Sequence, residues 1–155
     1  MRIYFDSSAL VKLIVDEEGS PEVRKFVSAA LDEIAFITSA VTKAEVMAAL
    51  AAMRRGRHLT QRGFEKAVED FRVRWRAFNV PEVTISLIDK AGEIGVGHKI
   101  KGCDAFQLAS ALEAEANLFV SCDDDLNTAA SESGLFVWNP MVEIIPEIAQ
   151  LHERS

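Results

Sequence analysis

Short apolar runs alternate along the chain with longer segments whose apolar residues recur at helical spacing. The runs Arg2 to Phe5, Ile34 to Ile37, Val83 to Ile85, Leu118 to Ser121 and Phe136 to Trp138 predict strands. Helix starts are legible between them. Ser20-Pro21 offers an N-cap followed by proline at the first helical position, and Thr60 precedes a long periodic segment. In that segment Phe64, Ala67, Val68, Phe71, Trp75 and Phe78 share one face, which reads as core. Val142, Ile145, Ile148 and Ala149 suggest a last amphipathic stretch, with Pro140 before it and Pro146 interrupting it. Strands alternating with helices predict an α/β fold: a three-layer α/β/α sandwich around a mainly parallel five-stranded sheet.

A chain of 155 residues, 49% of them apolar, has the size and the apolar content of one compact domain, expected here over residues 1–155. The N-terminal run Ile3-Tyr4-Phe5 is broken at once by Asp6, and Ala9-Leu10-Val11 is followed by Lys12. An uninterrupted signal core or membrane span is therefore not expected, and a cytoplasmic location is. Cys103 and Cys122 lack CxxC spacing and read as buried thiols in a reducing compartment.

The net charge of −7 argues against nonspecific coating of nucleic acid, which rests on neutralising phosphates with Lys and Arg. The charge is unevenly spread, however. Between Arg54 and Arg76 there are eight basic residues against three acidic ones, so a polyanion should approach this end first. Asp70 and Arg74 have the spacing of a helix-surface ion pair, whereas Arg54, Arg55 and Arg57 have no such neighbour and are candidates for contact with RNA or a partner.

Four acids carry the chemistry of the chain: Asp6, Glu45, Asp104 and Asp123. Asp6 and Asp123 each follow a strand and precede a helix, and Asp104 with Gln107 reads as a capping box, so each of these three has a plain role as a cap. Glu45 does not. It lies in the helical run Val41 to Met53, where the other polar residues before Arg54 are Thr42 and Lys43. A carboxylate on so apolar a helix must be solvated in a cleft, paired or coordinated. If the first and fourth predicted strands are neighbours where the strand order reverses, Asp6 and Asp123 face one crevice, within reach of the helices carrying Glu45 and Asp104. Oxygen ligands without histidine suit Mg²⁺ or Mn²⁺ and make a poor zinc site. Ser7, Ser8 and Ser121 could support a ligand there, with helix capping as their plainer role. Lys101 is close enough in sequence to Asp104 to touch a phosphate. Asp124 and Asp125 extend the acidic patch.

Ile3 to Leu13, the segment Ser39-Ala-Val-Thr-Lys-Ala-Glu45, the segment from Lys101 to Leu112 (Lys-Gly-Cys-Asp-Ala-Phe-Gln-Leu-Ala-Ser-Ala-Leu) and Val120-Ser-Cys-Asp-Asp-Asp-Leu126 together resemble the PIN-domain nucleases. The likeness is greatest to the VapC-type toxins of prokaryotic toxin–antitoxin pairs, and it covers nearly the whole chain. It implies that Asp6, Glu45, Asp104 and Asp123 hold Mg²⁺ or Mn²⁺ in an endoribonuclease, with Ser121 as the hydroxyl two residues before the fourth acid. The triple Asp123-Asp124-Asp125 departs from the family pattern and leaves Asp125 as a further candidate ligand. The resemblance also implies an RNA substrate, a cognate antitoxin and a homodimer.

Other phosphate-handling folds match less well. A haloacid-dehalogenase-like phosphatase needs Asp-x-Asp at the first strand, where this chain has Asp6-Ser7-Ser8, and a response-regulator receiver wants paired acids there. A non-catalytic PIN-like module that only docks a partner should lack one or more of the acids, and all four are present. A housekeeping RNA-processing nuclease of the same fold would keep all four.

Overall fold

A computed structural model of the chain describes residues 1–30 and 34–142. The segment around Ile145, Ile148 and Ala149 lies outside the described residues. The elements run β1 (Arg2–Phe5), α1 (Ser7–Lys12), α2 (Ser20–Ala29), β2 (Ala35–Ile37), α3 (Ala40–Arg55), α4 (Gln61–Trp75), α5 (Ile85–Gly97), α6 (Gly102–Glu113), β3 (Leu118–Val120), α7 (Asp124–Glu132) and β4 (Phe136–Trp138).

Strand alternation divides the core between two faces of the sheet. Ile3 and Phe5 of β1 point to one face, where Leu13, Val23, Phe26, Val120 and Trp138 join them. Tyr4 points to the other, against Leu108, Phe119, Leu126 and Ala130, and its ring stacks on Phe119 at 5.3 Å. Helices α1 and α2 thus cover one face and α6 and α7 the other, which is the expected three-layer arrangement. Outside these layers, Leu10, Val46, Leu50, Ala67, Val68 and Phe71 bind the α3–α4 hairpin to α1. The periodic stripe expected from Phe64 to Phe78 is therefore core.

Among the described residues all strand pairings are parallel, in the order β2-β1-β3-β4, with Ile3 opposite both Phe36 and Leu118. Because β1 sits between β2 and β3, the chain reverses its direction of travel across the sheet there, and a crevice opens beyond the carboxyl ends of β1 and β3.

Among the described residues the sheet has four strands, one fewer than expected. Val83 to Ile85 forms no strand. Thr84 is the N-cap of α5, its Oγ1 accepting the Leu87 N–H at 3.1 Å, and the apolar side chains on either side are exposed, Ile85 at 75%. A run of three β-branched residues has no neighbour strand to pair with, and the threonine finds its partner locally. The edge of the sheet beyond β2 is held instead by an isolated parallel bridge from Ile37 to Asn79.

The start of α2 also differs by one residue from expectation. Gly19 is the N-cap, in the left-handed region at φ 81°, and the Ser20 hydroxyl donates to the Val15 carbonyl at 2.8 Å. A Cβ on Gly19 would lie 3.1 Å from the Pro140 carbonyl oxygen. Gly19→Ala should therefore destabilise the fold by about 1–2 kcal/mol from the left-handed backbone alone. Urea denaturation measures it, and a loss near zero would mean that the turn readjusts freely.

Cys103 is exposed, contrary to expectation, and Cys122 is partly buried; both are free thiols. Burial pushes the Cys122 thiol up to about 11, so it is not a ready nucleophile. Among the described residues no helix is long and apolar enough to cross a membrane.

Candidate active site

Asp6 stands at the junction of β1 and α1, with its backbone N–H bonded to the Val120 carbonyl of β3 at 3.1 Å. As expected of an acid between strand and helix it is the N-cap of α1, its Oδ1 accepting the Ala9 N–H at 2.8 Å. Capping accounts for only part of its environment. Ser8 Oγ lies within 2.9 Å of both carboxylate oxygens, and Ser121 Oγ donates to Oδ2 at 2.7 Å. The side chain is buried at 3% exposure, and burial raises its carboxyl to about 6. The hydrogen bonds oppose that rise, while the charge of Glu45 adds to it.

Ser121 ties this cradle to the next acid. Its Oγ also accepts the Asp123 N–H at 3.1 Å, and Ser8 Oγ accepts the Cys122 N–H at 2.8 Å. Asp123 is exposed and caps α7, accepting the Leu126 N–H at 2.9 Å. Asp125 lies in the first turn of that helix, and Asp124 accepts a hydrogen bond from Asn139 at 3.2 Å.

Asp104 does not cap α6. The N-cap is Lys101, without a side-chain bond, and Asp104 lies inside the first turn, where a hydrogen bond from the Lys101 backbone reaches it. The expected capping box does not form: the N-cap lies three residues earlier, and Gln107 points to Glu45 instead. Asp104 is half-buried, and its carboxyl is raised by burial first, then by the charge of Asp123, with Asp125 adding in the same direction. The cationic side chain of Lys101 pulls the other way.

Glu45 projects from α3, half-buried, and its Oε2 accepts the Gln107 amide at 2.6 Å. Gln107 is thus a site residue rather than the closing member of a cap. Its position, polar between Phe106 and Leu108 on a core helix, is the signal in the sequence that it faces something charged.

Glu45, Ala49 and Met53, successive turns of one face of α3, line a groove of about 490 Å³ together with Ser7, Ser8 and Cys122. Arg54, Arg55 and Arg57, which follow Met53 in the chain, are exposed. Arg54 is held by Gln61 Oε1 at 2.7 Å and stacks over the Phe64 ring. On α4 the i,i+3 ion pair is Arg72 with Glu69, at 3.7 Å.

The arrangement brings Asp6 and Glu45 within mutual influence, and likewise Asp104 with Asp123 and Asp125. Among the described residues no three acidic, histidine or cysteine side chains converge closely enough to enclose a metal ion as they stand. The donors themselves fit a hard dication: carboxylates and hydroxyls, and ionised acids whose mutual repulsion a cation would relieve.

Comparison with known proteins agrees with this topology. The family model for the PIN domain matches residues 3–132. Ribonuclease VapC49 of Mycobacterium tuberculosis is 37% identical over 135 residues, covering 85% of this chain and 91% of that protein. Solved structures share the fold. Mycobacterium tuberculosis VapC20, described as a sarcin-ricin loop cleaving toxin, superposes with a TM-score of 0.64 at 19% identity, over 93% of this chain and 99% of its own. VapBC-1 from nontypeable Haemophilus influenzae gives 0.65 at 15% identity, over 90% and 98%. With the family model running from β1 through α7 and a curated ribonuclease aligned across most of the chain, this protein belongs to the PIN-domain family.

Proposed function

We propose that the chain is a Mg²⁺- or Mn²⁺-dependent endoribonuclease, acting in the cytoplasm as the toxin of a type II toxin–antitoxin pair. The reading is supported by two sets of mutually influencing acids, Asp6 with Glu45 and Asp104 with Asp123 and Asp125, in a chain 37% identical to a curated ribonuclease. Asp6, Glu45, Asp104 and Asp123 would hold the cation, with Asp125 as a further candidate. The cation would polarise the scissile phosphate and stabilise the charge that develops during in-line displacement.

The chain's own groups supply position and field. Ser8 and Ser121 fix the Asp6 carboxylate from two sides, so its orientation is set before any ligand arrives. Ser7 lines the groove beside them. Lys101, exposed at the start of α6, places a positive charge beside Asp104 and is suited to a phosphate oxygen. Arg55 and Arg57, with Arg54, are exposed just after the helix α3 that carries Glu45 and would meet the RNA backbone.

Changing Arg54, Arg55 and Arg57 together to alanine should weaken RNA binding and lower the salt slope by roughly 2, at about 0.7 per phosphate contact for a single strand. Filter binding across a salt series measures it, and an unchanged slope would return these residues to ordinary surface.

The antitoxin partner is supported by a structural neighbour from Klebsiella pneumoniae described as a toxin–antitoxin complex, and a homodimer by the family resemblance. A housekeeping nuclease would use the same acids, so the partner separates the two roles. Co-expression with the product of a small gene immediately upstream should inhibit a toxin and leave a processing enzyme active. Calorimetric titration with Mn²⁺ tests the site itself. Saturable heat in the wild type that is lost in Asp104→Asn supports the reading, and no heat in the wild type would contradict it.

A further inference from the structure

Gln107 lies one turn beyond Asp104 on α6 and is buried at 1% exposure. It joins two other elements, β1 and the N-terminal end of α3. Its Oε1 accepts the Tyr4 hydroxyl of β1 at 2.7 Å and the Ser39 hydroxyl at 3.2 Å, while its Nε2 donates to Thr42 Oγ1 at 2.9 Å and to Glu45 Oε2 at 2.6 Å.

We infer that Gln107 is a positioning residue that fixes the direction of the Glu45 carboxylate, and that Tyr4 fixes the direction in which the Gln107 amide points. The inference rests on the nuclease reading above. An amide side chain fits its space in either of two orientations, and its partners decide which is adopted. Tyr4 is fully buried and its phenol stays protonated, so it supplies a donor for the carbonyl end. A flipped amide would set a carbonyl oxygen against the Glu45 carboxylate and leave the Tyr4 proton facing an NH₂ group. The observed orientation gives Glu45 a short, charge-assisted hydrogen bond instead.

Packing alone does not account for the residue. A methionine or leucine would fill the same space among Tyr4, Thr42 and Leu108 without desolvating an amide. The amide also spans the two halves of the site, because the helix that carries Asp104 thereby grips the side chain of Glu45 on α3. Outer contacts of this kind set the direction and basicity of a metal-binding carboxylate.

The test compares full-length wild type, Gln107→Met and Tyr4→Phe by Mn²⁺ calorimetry and by melting in chelator. Gln107→Met keeps length and volume but donates nothing. It should bind Mn²⁺ about 10- to 100-fold more weakly, the range for loss of an outer contact, and its metal-free melting temperature should fall as well, because the buried Tyr4 hydroxyl loses its Gln107 acceptor. Tyr4→Phe leaves the ring on Phe119 and removes only the orienting hydroxyl, so its loss should be smaller and in the same direction. Equal Mn²⁺ affinity in wild type and Gln107→Met overturns the role. Should Gln107→Met fail to fold, unchanged affinity in Tyr4→Phe overturns it equally. A wild type that binds no Mn²⁺ sinks the nuclease reading and this role with it, whereas tight wild-type binding with unaffected variants sinks this role alone.

Discussion

Asp6→Asn is expected to abolish RNA cleavage and, without metal, to make the protein more stable at neutral pH. The two effects have one cause. Burial raises the Asp6 carboxyl from 3.8 to about 6, so the folded state holds its proton more tightly than the unfolded chain does. The stability linked to that proton is fully present below about pH 4 and is lost as the pH rises through about 6. A rise of that size corresponds to roughly 3 kcal/mol at neutral pH, a cost that an uncharged amide avoids. Some is given back, because the Ala9 N–H and the Ser8 and Ser121 hydroxyls must rearrange around an amide in place of a carboxylate. A net gain of about 1–2 kcal/mol remains, allowing about 1 kcal/mol for a weakened hydrogen bond. Urea denaturation in chelator at about pH 5 and about pH 8 should show wild type losing stability between the two and the variant losing less. A variant less stable than wild type at the higher pH would make Asp6 mainly a helix cap. Cleavage should fall by at least ~10³-fold, equivalent to roughly 4 kcal/mol of transition-state stabilisation.

Mn²⁺ should stabilise the wild type strongly, and more at high pH than at low. A ligand that binds only the folded state adds about 2.7 kcal/mol at one hundred times its dissociation constant. At fixed Mn²⁺ the gain should shrink toward about pH 5, because Asp6 then carries a proton that must leave before the carboxylate can bind a cation. The raised carboxyl of Asp104 acts in the same direction. Asp104→Asn should lose most of the gain while keeping the metal-free stability of the wild type or exceeding it, since the amide escapes the charges of Asp123 and Asp125. Melting with and without chelator at the two pH values measures this. A gain independent of pH would mean that the ion binds elsewhere.

The parts of the fold legible in the sequence are those whose burial demands a pattern. β1 and β3 are apolar runs because both of their faces are covered, and the α4 stripe is periodic because one face packs on α3. Val83 to Ile85 misleads because β-branched residues signal strand only where a neighbour strand exists, and Thr84 caps a helix instead. Local chemistry is harder to place than topology. Ser20 and Asp104 both sit near helix starts, but Gly19 takes the first cap by adopting a left-handed backbone, and Lys101 takes the second without a side-chain bond. Asp6 and Asp123 are legible as caps, and they are caps. That Ser121 joins them, or that Gln107 reaches Glu45 from 62 positions away, depends on a strand order and a helix rotation that no local pattern carries.

Cleavage of a mixed RNA pool by the purified protein tests the central claim most directly. The wild type with Mn²⁺ or Mg²⁺ should yield discrete products, and none should appear with chelator or with Asp104→Asn prepared in parallel. Absence of cleavage by the wild type with either ion, or equal cleavage by Asp104→Asn, would contradict the assignment of these acids to a metal-dependent ribonuclease.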